Sequence, residues 1–464
     1  MKQLLALAAC AAALSVAACS GGPTSSFVSN PSAGGRHVKR AAGSTPIQHI
    51  VLVIQENRTL NNLFATFPGA NGTTVGERRI IKNGKTKEES VDLTETHLFV
   101  QKDLNHSYSG WLTAWDSGGM DGFNHVRFTN GVTEDTYPYQ YVNPSDVAPY
   151  WTMAQEYGLA AAMFTTQGSA SFPAHQDLIR GGTAINSSTS LIDNMAYTGG
   201  AWGCDSPSGS RTTLITTGLK VKHDGGPFPC TSAFPSSGVN YKTLRDLLDA
   251  ASLSWKYYAP EVGGDGGIWS AFDLVAPVRY GPEWGTNVSW PQTNIFNDIS
   301  NGQLPNMSWV IPDGADSDHP GDASDTGPSW VAQVVNAVGN SQYWNSTAII
   351  VVWDDWGGFY DNVPPPAPRD DQGGPGFRVP MLAISPYVPA GEISNTTYEF
   401  GSIVRYVEDT FGLGRLGTTD GTTTSIADMF NYNQSPRAFQ TIGSKYSRAY
   451  FLHRKPTRRP VDTE

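Results

Sequence analysis

The stretch from Ser346 to Trp353 restricts the fold more than any other part of this 464-residue chain. Thr347-Ala348-Ile349-Ile350-Val351-Val352 is a run of β-branched and apolar residues, so neither face of the strand it predicts is left to water. Comparable apolar runs stand at 47–55, 159–164, 254–258, 307–311 and 381–384. Helical patterns lie between some of them. Leu244, Leu247 and Leu248 share one face of 242–252, and Val331, Val334, Val335 and Val338 share one face of 329–338. Ile403, Val404, Val407 and Phe411 do the same over 401–411. Buried strands alternating with amphipathic helices predict an α/β fold, a mostly parallel central sheet covered by helices on both faces. Segments 66–150 and 185–235 lack periodicity and read as long loop insertions.

Polar residues gather where these runs end. Trp353-Asp354-Asp355-Trp356-Gly357-Gly358 follows the strongest run, and open α/β sheets place their ligand sites at such carboxyl ends. Adjacent carboxylates in a partly buried place raise each other's pKa, a cost that a bound cation removes. A solvated turn is the plainer alternative. The run at 47–55 ends in Glu56-Asn57, a charged and a neutral oxygen ligand suited to a divalent cation. Arg58, next along, offers Glu56 an ordinary ion pair instead.

The segment Thr165-Thr166-Gln167-Gly168-Ser169-Ala170-Ser171-Phe172-Pro173-Ala174-His175-Gln176 carries the candidate nucleophile. Pro173 suits the first position of a helix, which places Ser171 just outside the helix N-terminus. Free backbone N–H groups and the helix dipole favour a phosphate there, and a metal would lower the pKa of the hydroxyl. A capping role is the alternative for Ser171, and Ser169 is the competing nucleophile. No Gly-x-Ser-x-Gly surrounds these serines, and the chain has no His-Glu-x-x-His. His319, His106 and His175 are candidate acids or phosphate donors, each with a plain structural alternative.

The formal net charge of -11 argues against a nucleic-acid partner, which needs a basic surface. Met1-Lys2 precedes an apolar stretch from Leu4 to Val16, too short to span a bilayer as a mature helix. Val16-Ala17-Ala18-Cys19 has the pattern of a bacterial lipoprotein cleavage site, with ordinary secretory cleavage as the alternative. Residues 1–18 are then a signal peptide, Cys19 the lipidated residue and 19–45 a flexible tether. Cys204 and Cys230 remain and are expected to pair as a disulfide. A catalytic domain is expected over 46–434. The tail over 435–464, basic through Arg437, Lys445, Arg448, Arg454, Lys455, Arg458 and Arg459, is expected to be solvated or to touch anionic lipid.

Taken together, several of these segments resemble the bacterial phospholipase C and acid phosphatase type phosphoesterases. His49 to Thr59 resembles their opening strand, Gly168 to Gln176 their nucleophile loop and Asp318-His319-Pro320 their histidine loop. Trp353 to Tyr360 with Asp361-Asn362-Val363-Pro364-Pro365-Pro366 resembles their acidic motif. Phe377-Arg378-Val379-Pro380, Ser385-Pro386-Tyr387 and Phe400-Gly401-Ser402-Ile403 also match, in order, across about 46–430. The resemblance implies an alkaline-phosphatase-like fold and a divalent metal held by Glu56, Asn57, Ser171, Asp354 and Asp355, with Ser171 as nucleophile. Ser169-Ala170 stand where the family usually has Gly-Pro or a similar pair.

The sequence therefore predicts a metal-dependent phosphoesterase, phospholipase C-like, with His319 or His106 helping the leaving group depart. The rival within the class is an acid phosphatase acting on phosphomonoesters. The rival outside it is a non-catalytic, ligand-binding surface lipoprotein. The expected partners are a phosphate-ester or phospholipid substrate and, through the lipid anchor, a membrane. The expected place is the bacterial cell envelope, in the periplasm or at the cell surface, with secretion as the variant.

Overall fold

The computed structural model describes residues 45–455 apart from 129–130, 197–200, 224–229, 231–240, 368 and 370–371. The signal peptide, Cys19, the tether up to residue 44 and the tail beyond 455 lie outside the described residues.

One sheet organises the chain. Its strands are β1 (His49–Gln55), β2 (Gly158–Ala160), β3 (Trp255–Tyr258), β4 (Val288–Ser289), β5 (Met307–Val310), β6 (Thr347–Trp353), β7 (Met381–Ile384) and β8 (Glu392–Ser394). They lie in the order β4-β3-β5-β1-β6-β7-β2-β8. β7 is antiparallel to both of its neighbours, and every other pairing is parallel. All seven residues of β6 are buried. Successive side chains on a strand point to opposite faces, so both faces of the sheet centre are covered, as the β-branched run predicted.

The segment after Ala170 forms α1 (Ser171–Arg180), and the helical patterns at 242–252, 329–338 and 401–411 form as Leu244–Ala250, α2 (Gly327–Gly339) and α3 (Phe400–Phe411). Pro328 sits in the first turn of α2, where its missing N–H costs nothing. Val331, Val334, Val335 and Val338 of α2 are fully buried while Gln333 and Asn336 are only partly so. Gly412, with φ +67, ends α3 in the left-handed conformation.

The two segments read as loops have structure of their own. Val75–Lys82 and Lys85–Asp92 form an antiparallel hairpin. Behind it a second apolar cluster gathers Trp111, Phe123, Tyr139, Trp356 and Phe377. Ala184–Asn186, Thr189–Ala196, Arg211–Thr216 and Lys220–Lys222 make a four-stranded sheet. The signal was absent because these strands are largely polar. In Lys85–Asp92 only Val91 is buried, so no apolar alternation marks the strand.

Residues 435–455 pack back on the domain rather than standing in solvent. Phe451 and Ile442 are buried, and Arg437 donates to the carbonyls of Glu156 and Val388. Arg454 bridges Asp313 and Asp316, and Lys445 pairs with Asp325. Part of the expected free basic surface is therefore spent on internal carboxylates.

Candidate active site

The register of β1 and β6 creates the site. Gln55 lies opposite Trp353, so the next residues of each strand emerge side by side. The Asp354 N–H donates to Gln55 O at 2.9 Å, and the Asn57 N–H donates to Asp354 Oδ1 at 2.8 Å. Asn57 adopts φ +61, a left-handed conformation that Asn tolerates better than most residues. Beyond the acids the chain must turn beneath Asn57. Gly357 and Gly358 do this with φ +57 and +81. A Cβ on Gly357 would stand 2.1 Å from Asn57 O, and one on Gly358 would stand 2.3 Å from Leu104 Cβ.

The charged groups are buried. Glu56, Asn57, Asp354 and Asp355 are fully buried, Ser171 is 2% exposed and His319 6%. Asp354 Oδ1 also receives the Asp355 N–H at 2.7 Å, and Asp355 Oδ1 receives the Gly357 N–H at 2.8 Å. The opposite oxygens face inward. Asp355 Oδ2 accepts from Ser171 Oγ at 3.2 Å, and Asn57 Oδ1 lies 3.4 Å from the same hydroxyl. Glu56 Oε2 and Asp354 Oδ2 have no hydrogen-bond partner among the described residues.

Burial, followed by Asp354 and Asp355, pushes the Glu56 carboxyl well above its usual range. Burial and Asp354 do the same to Asp355. Buried carboxylates with unsatisfied oxygens fit a divalent cation, whose charge removes the repulsion. Glu56, His175 and Asp354 bring ligand atoms within 4.8 Å of one another. His175 Nε2 lies 2.9 Å from Glu56 Oε1 and 3.9 Å from Asp354 Oδ2. Burial lowers the His175 pKa to about 4, so its ring rests neutral, the form that ligates metals.

The other two histidines converge on Asn57. His106 Nδ1 is 2.7 Å from Leu104 O and His319 Nδ1 is 2.8 Å from Pro320 O. Carbonyls only accept, so each Nδ1 carries a proton, and in the neutral ring each Nε2 offers a lone pair. Those lone pairs take the two N–H bonds of the Asn57 amide, at 3.3 Å for His106 and 3.1 Å for His319. This fixes the amide orientation and turns Asn57 Oδ1 toward Ser171. Burial lowers the His319 pKa to about 3, and neighbouring His106 adds to the effect. Trp269 stacks at 5.9 Å from His319 and 6.4 Å from His175, forming an apolar wall.

All seven residues proposed from sequence, Glu56, Asn57, Ser171, Asp354, Asp355, His106 and His319, thus come together. Four details qualify that picture. Arg58 does not take Glu56 as an ion-pair partner. Its guanidinium donates to Asp318 O at 2.8 Å and to Asn62 Oδ1 at 3.2 Å, which anchors the histidine loop. Ser169 turns away, bonded to the Asp193 carboxylate at 2.9 Å. Helix α1 begins at Ser171, two residues earlier than Pro173 suggested. The Phe172 N–H donates to Asn194 Oδ1 at 2.9 Å, so this donor is not free for a phosphate as expected. Sequence reasoning named His175 without assigning it as a ligand. Its i+4 spacing from Ser171 on one helix face was the available signal.

Residues 47–414 match the sequence pattern of the Phosphoesterase family. Phospholipase C B of Mycobacterium tuberculosis is 24% identical over 447 residues, covering 84% of this chain and 79% of that protein. Non-hemolytic phospholipase C of Pseudomonas aeruginosa is 23% identical over 455 residues, covering 86% of this chain and 59% of that protein. Among solved structures, a protein in the alkaline phosphatase superfamily from Vibrio parahaemolyticus aligns with a TM-score of 0.39 at 12% identity, covering 84% of this chain and 73% of that one.

Proposed function

The chain belongs to the phosphoesterase family and is a phosphoric ester hydrolase, and from that premise we propose a metal-dependent, phospholipase C-like enzyme with Ser171 as nucleophile. The observation that carries the reading is Ser171 Oγ held 3.2 Å from Asp355 Oδ2 beside unsatisfied oxygens of Glu56 and Asp354. Glu56, Asn57, Ser171, Asp354 and Asp355 would hold a divalent cation, with His175 as an added ligand. When bound, such an ion supplies Lewis acidity at the serine oxygen and the transferring phosphoryl group.

The chain's own residues do the rest. Asp355 Oδ2 takes the Ser171 proton as the oxygen attacks phosphorus in line with the leaving oxygen. The P–O bond to the leaving group breaks, leaving a phosphoserine. The imidazole of His319 or His106, carrying on Nε2 the proton taken from water in the preceding turnover, passes it to the leaving oxygen. Water then hydrolyses the phosphoserine, its proton going to the same imidazole, and Asp355 Oδ2 returns its proton to the departing Ser171 oxygen. Exclusion of bulk water from the buried cluster strengthens each of these interactions.

The names of the relatives support a phospholipid diester as substrate. A phosphomonoester is the second reading within this chemistry, and turnover of phosphatidylcholine against a simple monoester separates the two. We also read the protein as an exported lipoprotein anchored through Cys19 on the strength of Val16-Ala17-Ala18-Cys19. Among the described residues no helix is long and apolar enough to cross a membrane.

The nucleophile is tested by turnover of a chromogenic phosphoester. Ser171→Ala should lose orders of magnitude in rate, while Ser169→Ala, which keeps the nucleophile and loses its two hydrogen bonds to Asp193, should lose far less. An active Ser171→Ala beside a dead Ser169→Ala would mean that the nucleophile is misassigned.

A further inference from the structure

The small four-stranded sheet reaches the nucleophile through one irregular stretch. The Thr189–Ala196 strand loses register with its neighbour between Ile192 and Ala196. Within this bulge Asp193 adopts φ +62, a conformation that costs an Asp residue energy and persists only where its surroundings hold it. Asp193 is held on two sides. Ser169 Oγ donates to its carboxylate at 2.9 Å, and the Asp193 N–H donates back to Ser169 Oγ at 2.8 Å. The Tyr108 N–H donates to the same carboxylate oxygen. Ser169, the rejected nucleophile, therefore clamps the bulge to the loop that presents Ser171.

The clamp places the next residue, Asn194, against the start of α1. Asn194 Oδ1 accepts the Phe172 N–H at 2.9 Å, one residue beyond Ser171. This bond fixes which end of the amide is oxygen and which is nitrogen. The nitrogen, Asn194 Nδ2, is buried and has no partner among the described residues. A buried amide N–H without an acceptor is costly, and such a group in a native fold calls for an explanation. The first turn of α1 sharpens the point. Phe172 has already given its N–H to Asn194, and Pro173 has none to give. Neither of the two residues after Ser171 therefore has a backbone N–H left for a phosphoryl group on Ser171.

We propose that Asn194 is a catalytic residue, its Nδ2 donating to a non-bridging oxygen of the phosphoryl group as it transfers to Ser171. Its oxygen orients the helix start, and its nitrogen stabilises charge on the transferring group, as preorganised amide donors do at developing oxyanions. The inference rests on the reading of Ser171 as nucleophile.

The test uses the intact, metal-replete protein and orthovanadate as the probe. Asn194→Asp keeps an oxygen for the Phe172 N–H but replaces the donor with an acceptor. Its turnover of a chromogenic phosphoester should fall about 10²–10³-fold, with orthovanadate inhibition weakened in parallel and the melting temperature nearly unchanged. Turnover and orthovanadate inhibition both within about threefold of wild type would overturn the proposal. So would a loss of turnover with orthovanadate inhibition intact. If Asn194→Asp does not fold, a crystal structure of the wild-type protein with orthovanadate decides. Nδ2 should lie about 2.7–3.2 Å from a vanadate oxygen, and an Asn194 amide beyond hydrogen-bond reach of vanadate would refute it. Failure of the nucleophile reading looks different. Wild-type protein would then turn over without forming phosphoserine, whatever Asn194 does.

Discussion

Gly357→Ala offers a sharp test of how the acidic motif is built. The perturbation adds one methyl group, and the structure says what that methyl meets. At φ +57 its Cβ would stand 2.1 Å from Asn57 O, 2.6 Å from Asn57 C and 2.8 Å from Asn57 Cβ. Two costs follow. Any L side chain in the left-handed region costs about 1–2 kcal/mol. Forcing a group into a filled space adds about 1–3 kcal/mol. Gly84 separates them, for it has φ +68 and nothing within 4 Å of its would-be Cβ. Gly84→Ala should therefore cost only the first amount, about 1–2 kcal/mol, and Gly357→Ala the sum, about 2–5 kcal/mol. Because the atoms struck are backbone, relief requires Asn57 to move, and its amide orders Ser171, His106 and His319. A displacement on the order of 1 Å at a reacting centre costs about 100-fold in rate. Melting temperature and turnover of a chromogenic phosphoester, measured on both variants, complete the comparison. If Gly357→Ala matches Gly84→Ala in stability and turns over like wild type, Asn57 is not held by this turn and the reasoning is wrong.

Three further outcomes are expected. Chelation of metal should abolish hydrolysis, and Asp354→Asn or Asp355→Asn should nearly do so; full activity in a chelated, metal-free preparation contradicts the metal reading. Cys204 and Cys230 form a disulfide across a sequence separation of 26, and replacing both by Ser should cost about 3 kcal/mol or less by thermal unfolding. Mass mapping of protein from the cell envelope should find the pair oxidised, and two free thiols there would refute that. Cys19→Ala should release or misprocess the protein, and a variant that stays membrane-bound with an unchanged N-terminus removes the lipid anchor from the account.

Much of the frame was legible in sequence because burial on both faces leaves an unbroken apolar run. β6 spans 347–353, within one residue of the apolar run, and the polar residues following β1 and β6 meet as their position after the strands suggested. The reversal of β7 was not legible. Met381–Ile384 is as apolar as the parallel strands of the sheet, and strand direction leaves no mark on such a pattern. Position in sequence already favoured Ser171 over Ser169, but the contact that turns Ser169 away was not legible, since Asp193 comes from an insertion whose polar strands carry no readable period. Adjacency in sequence left an Arg58–Glu56 ion pair open as the alternative, whereas the Arg58 side chain serves Asp318 in another strand's loop. The start of α1 at Ser171 rather than Pro173 has a similar cause. Asn194 caps the Phe172 N–H from outside the segment, and no local cap residue announces the first turn.

The most direct test of the central claim is chemical trapping of the intermediate. Wild-type protein, mixed with a substrate labelled at phosphorus and quenched in acid during turnover, is digested and its peptides mapped. The account predicts label on the peptide containing Ser171, as phosphoserine, and none in Ser171→Ala. Turnover that proceeds with no covalent label, or with the label on another residue, would contradict it.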